Sequence, residues 1–165
     1  MGTFLKRLCH LSTGAANSSV LILLAIVSLV GVGCKSATPP AYPQEAEVKT
    51  FLNRYFSTWS AKDMEGYGSC FHPQARVFFL TEGQGVVSQG LTDFLHGQRM
   101  AHEQAATPMT ERPVDMRIQG DERGAQACVT WVLTKGAKEE RGTDLFTLQK
   151  EASGWKIISL AFYGE

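Results

Sequence analysis

The feature that most constrains the fold of this chain is a change of hydrophobic period partway along it. Val48, Phe51, Leu52, Tyr55, Phe56 and Trp59 recur at i, i+3, i+4, i+7, i+8 and i+11, which puts them on one face of a three-turn amphipathic helix. Acidic Glu45 and Glu47 stand in its first turn, where the helix dipole favours negative charge. Asp63–Cys70 (DMEGYGSC) reads as a second, short helical turn loosened by Gly66 and Gly68. Period two then sets in. Arg76–Leu80 and Val86-Val87 read as two short strands joined through a Gly-containing turn at Thr81–Gly85. Helical spacing returns from Leu91 to about Ala105, with Leu91, Phe94 and Leu95 on one side. Four strands follow, over Val114–Gln119, Ala125–Lys135, Arg141–Lys150 and Trp155–Tyr163. Segregated helices followed by a run of strands predict an α+β domain, with helices on one face of an antiparallel sheet.

Ahead of the domain lies a different kind of segment. Lys6 and Arg7 precede thirteen apolar or small residues, Val20–Val32, and then Gly33-Cys34. That is the length of a signal-peptide core and short of the roughly 20 residues needed to span a bilayer. The stretch resembles a bacterial lipoprotein signal, in which small residues precede a cysteine that is acylated and becomes the new N-terminus. The resemblance implies residues 1–33 as a signal peptide, Cys34 as the lipidation site, and a protein anchored in the cell envelope. Gly31 departs from it, since leucine usually stands there. One acyl chain holds weakly, so stable anchoring takes several. Residues 34–44 then read as a tether, because KSATPPAYPQ carries three prolines among small polar residues. The folded domain is expected over 45–165.

Composition narrows the function classes. Without residues 1–33 the chain keeps 132 residues, with fourteen basic against sixteen acidic side chains. That is enough for one domain with a real core, and without a clustered basic surface it predicts no nucleic-acid partner. Cys70 and Cys128 match no zinc spacing. In an oxidising compartment they are as open to pairing as to remaining free. No metal and no cofactor is implied.

In this order, several local motifs resemble the NTF2-like superfamily, which includes ketosteroid isomerase and polyketide-cyclase-like domains. They are Phe71-His72-Pro73-Gln74-Ala75 ahead of the first strand, Gln89-Gly90 before the third helix, Arg141-Gly142-Thr143, and Gly154-Trp155-Lys156-Ile157-Ile158. The resemblance covers Glu45 to Glu165. It implies a cone in which a bent antiparallel sheet wraps three N-terminal helices and leaves a pocket at its wide end. It also implies homodimerisation through the outer sheet face, for which Gln126, Cys128, Thr130 and Val132 are candidates. Many relatives carry two histidines at period two on the last strand; here those positions are Ser159 and Ala161.

The fold alone does not assign a reaction. On the last strand, Trp155, Ile157, Ser159, Ala161 and Tyr163 are expected to share one face, and that face holds no general base. His72, before Pro73, reads as structural. His96 and His102, with Arg99 and Glu103 nearby, read as a solvated helix face. Asp93 reads as serving a helix N-terminus, and Asp63, Asp115 and Asp144 receive no assigned role. No catalytic residue is assigned. The candidates to line a pocket are Tyr55, Trp59, Tyr67, Trp131, Ser159 and Tyr163, aromatic bodies with polar tips suited to a small apolar ligand. The expectation is a ligand- or partner-binding domain. An isomerase, dehydratase or cyclase and a structural dimer module are the alternatives, and a buried carboxylate of raised pKa would favour the enzyme.

Overall fold

The computed structural model describes residues 42–83 and 85–165. The leader, Cys34 and residues 35–41 of the tether lie outside the described residues. Among the described residues no helix is long and apolar enough to cross a membrane. Helix α1 spans Glu45–Ser60 and buries Val48, Leu52, Tyr55, Phe56 and Trp59, the stripe its spacing predicts. Packing begins earlier than Glu45, because the Tyr42 side chain is buried and its hydroxyl donates to the Asp121 carbonyl at 3.0 Å. The chain leaves α1 through Lys62, in the left-handed region at φ 62°. Asp63 then caps the short α2 (Met64–Ser69), its Oδ1 accepting from Gly66 N at 2.8 Å.

Strands β1 (Phe71–Thr81) and β2 (Gly85–Gly90) form a hairpin, and α3 (Leu91–Gln104) follows. Strands β3 (Met109–Gly120), β4 (Gly124–Lys135), β5 (Lys138–Glu151) and β6 (Gly154–Gly164) complete one sheet in the order β2-β1-β6-β5-β4-β3. Every neighbouring pair is antiparallel except β1–β6, which is parallel. Strands β1 and β3 start five residues earlier than the hydrophobic alternation suggests, running through Pro73 and Pro113. Both prolines lie at register irregularities, and β3 is an edge strand, which are the places where a sheet tolerates a missing N–H.

The inner face of the sheet and the helices share one core, to which β4 contributes Ala125, Ala127, Val129 and Trp131 and β5 contributes Phe146 and Leu148. Strand β6 breaks the expected alternation. Ile157 pairs with Leu148 and Ser159 with Thr147, so Ile158 is an extra residue on β6. A bulge of this kind shifts the alternation by one. Trp155 and Ile157 therefore face inward before it, and Leu160 and Phe162 after it, joining the core. Ser159, Ala161 and Tyr163 fall on the opposite face, beside Thr147, Leu145 and Thr143. This corrects the expectation that they share a face with Trp155.

Candidate functional site

The polar centre of the domain is built around Asp144, on the inner face of β5 and only 4% exposed. The Trp131 indole of β4 donates to Asp144 Oδ1 at 2.8 Å. A glycine makes this bond possible. Gly142 lies opposite Trp131 in the β4–β5 register, and a side chain there would collide with the indole ring. From the helix layer, the buried Tyr67 hydroxyl donates to the Tyr55 hydroxyl at 3.0 Å, and Tyr55 in turn stabilises the Asp144 carboxylate. Tyr55 meets Phe56, Phe71 and Phe146 edge-on, with ring centroids 5.0–5.9 Å apart, so its position is fixed by packing.

A second carboxylate faces the same interior. Glu111 is on the inner side of β3, and the Ser60 hydroxyl of α1 bonds to both its backbone N–H and its carbonyl, at 2.8 and 2.9 Å. Burial first, and then the Asp144 charge, push Glu111 up to about 9, with Lys135 opposing. Burial raises Asp144 to about 7 against the hydrogen bonds from Trp131 and Tyr55. Two like charges are not both carried in a desolvated pocket, so the pair keeps at least one proton at neutral pH.

Beside this centre an apolar cleft of about 270 Å³ opens between α3 and the β1–β2–β6 end of the sheet. Phe79, Val87, Phe94 and Phe162 form its walls, with Gln89 and Gln98 as the polar members. Phe162 is the cross-strand neighbour of Asp144, and its ring lies 5.0 Å from Phe79 and 6.2 Å from Phe94. Phe79 and Val87 stay 42% and 49% exposed, which leaves apolar surface to cover. Gly97 lines the α3 side, and a Cβ there would meet nothing within 4 Å.

The structure gathers some of the sequence candidates and separates others. Trp131 and Tyr55 converge on Asp144, and Tyr67 joins them through the Tyr55 hydroxyl. Trp59 is buried and reaches the cleft through its indole, which donates to Gln98 Oε1 at 2.8 Å. Ser159 and Tyr163 lie on the outer sheet face, moved there by the β6 bulge. His102 is not solvated: it is 5% exposed, with its ring centroid 4.3 Å from that of Trp59. Among the described residues neither ring nitrogen makes a well-formed hydrogen bond, although the nearby Trp59 backbone favours protonation somewhat. Burial, with Lys62 nearby, holds His102 below its ordinary value. His72 Nδ1 accepts from Gln74 N at 3.1 Å, a local structural role as expected. Among the described residues Cys70 and Cys128 form no disulfide. Residue spacing alone passes over Asp144, Glu111, Gln98 and the cleft phenylalanines.

The six-stranded mixed sheet and three helices of the described residues have the fold of an NTF2-like domain. Within that class the chain belongs to the family described as "Putative lumazine-binding", whose model matches residues 43–163. Solved structures agree on the fold. An NTF2-like protein of unknown function from Pseudomonas putida superposes with TM-score 0.63 at 12% identity, over 72% of this chain and 84% of that one. A protein of unknown function with a cystatin-like fold from Nostoc punctiforme gives 0.60 at 14% identity, over 73% and 90%. A protein described as a "putative dehydratase from the NTF2-like family" from Streptomyces avermitilis gives 0.60 at 14%, over 73% and 94%. Among proteins of curated function, none matches this sequence.

Proposed function

We propose that this chain is an exported, lipid-anchored protein whose NTF2-like domain binds a small, flat, largely apolar molecule in the α3–sheet cleft. The observation that carries the reading is the cleft itself: aromatic walls from Phe79, Phe94 and Phe162, with Gln89 and Gln98 as amide partners. Such sites combine apolar walls with a few placed polar groups. The family description names lumazine, a pteridinedione, and a flat ring with a polar edge suits this lining. Cys34 would hold the protein to the envelope membrane through acyl chains. The outer sheet face, with Leu145 40% exposed beside Cys128 and Thr147, is the surface on which a second copy would pair.

The cleft reading is tested by filling it. Gly97→Leu places a side chain in open space on a helix that tolerates it. Binding of an apolar fluorescent probe such as anilinonaphthalene sulfonate is expected to fall at least tenfold with the thermal midpoint kept. Unchanged binding would contradict the cleft.

A second reading rests on Asp144. A carboxyl that keeps its proton near neutral pH, with a tyrosine and a tryptophan as neighbours, is equipped to give or take a proton from a bound ligand. It supports an enzyme of isomerase or dehydratase type, with Asp144 one cross-strand neighbour behind the Phe162 wall of the cleft.

A further inference from the structure

Gln98 is on the α3 wall of the cleft, one turn beyond Phe94. Its side-chain amide has two orientations that differ only in which arm carries the oxygen. The neighbour that decides between them is the Trp59 indole, which has an N–H donor and no acceptor. That N–H lies 2.8 Å from Gln98 Oε1; the flipped amide would set one donor against another. The indole is itself held in place. Trp59 is 6% exposed, belongs to the core and packs against the buried His102 ring. The carbonyl arm of Gln98 is therefore committed to Trp59, and the other arm is a donor. Among the described residues no protein acceptor takes that –NH2 group.

We infer that Gln98 is the specificity-determining donor of the cleft, and that the site takes flat rings bearing a hydrogen-bond acceptor, such as a ring carbonyl, at the edge that meets α3. Trp59 acts as a positioning residue, since it fixes which arm of the amide the ligand meets. A ligand with a donor at that edge leaves two N–H groups facing each other, and an unpaired buried polar group is penalised. The inference rests on the cleft reading above and narrows it to one ligand class.

A matched pair of probes tests it on the full-length protein. Pteridine-2,4-dione (lumazine) carries carbonyl acceptors at the two positions where 2,4-diaminopteridine carries amino donors. The wild type is expected to prefer the dione by about tenfold or more, the scale set by one unpaired group. Gln98→Glu keeps the acceptor for Trp59 and replaces the donor arm with an acceptor, so it is expected to reverse the preference. Gln98→Met keeps the length without a donor and is expected to lose most of the preference, which guards against a folding defect in the first variant. Binding of both probes with equal affinity, or a preference unchanged by either substitution, overturns the role of Gln98. In that case loss of both probes in Gly97→Leu leaves the cleft reading standing. Failure of the wild type to bind either probe, while anilinonaphthalene sulfonate still binds and is blocked by Gly97→Leu, overturns the ligand class alone. Probe binding indifferent to Gly97→Leu overturns the cleft reading and this inference together.

Discussion

Asp144 is the residue whose environment departs furthest from what its position along the chain suggests. It opens the inner face of a strand whose neighbours are apolar, and it stays there because the Trp131 indole donates to it while Tyr55 favours its charged form. The arrangement has a consequence for stability. Asp144 and Glu111 are raised in the folded state, so the folded protein holds protons that the unfolded chain has already released. Stability must then fall as pH rises from the ordinary carboxylate range through the raised values. His102 works the other way, because its lowered value costs stability as pH falls below its ordinary range. The acid pair is therefore best read above about pH 7.5, where an imidazole of ordinary pKa is mostly neutral in the unfolded chain and the lowered His102 is neutral in the folded one. Urea midpoints are expected to decline from about pH 7.5 to 9 in the wild type and to decline less in Asp144→Asn, which still accepts from Trp131. A flat wild-type profile would contradict the buried pair. The sequence displays both carboxylates but not their orientation. His102 was more legible: it lies eight residues beyond Phe94, on the same helical stripe, and charged Arg99 and Glu103 obscure that spacing.

At the scale of elements, the helices and the strand order were readable because each has a period of its own. The face of β6 was not. One extra residue, Ile158, leaves the composition of the strand unchanged but exchanges its two faces, so Phe162 lines the cleft while Ser159 and Tyr163 leave it. No alternation pattern reports a bulge in advance when both faces are largely apolar. Strands β1 and β3 were underestimated for a related reason, since proline interrupts the alternation without ending an edge or irregular strand. The β4–β5 pair offers a test of how elements hold the site. Gly142→Ala crowds the Trp131 ring and the Tyr163 carbonyl, and overpacking of this kind costs about 1–3 kcal/mol. The cost is expected to shrink in a Trp131→Phe background, a coupling readable by denaturant titration of the four variants. Equal costs in both backgrounds would show that Gly142 does not serve the Trp131–Asp144 contact.

For the whole molecule, the order of elements was enough to place the chain in its superfamily, while the parallel β1–β6 pairing and the cleft emerge only from three-dimensional packing. The cleft draws on β1, β2, α3 and β6, and its lining residues run from Val77 to Phe162, so no local motif encodes it. Anchoring is a separate property of the chain and is tested separately. Labelled palmitate is expected to enter the wild type and not Cys34→Ser; label in the variant would contradict lipidation at Cys34. The central claim is that the cleft is a binding site, and the most direct measurement is native mass spectrometry of the full-length protein extracted in mild detergent. An additional small-molecule mass is expected, lost on denaturation and absent from Gly97→Leu. A bare protein mass that stays bare after addition of anilinonaphthalene sulfonate, or a retained mass that persists in Gly97→Leu, would contradict it.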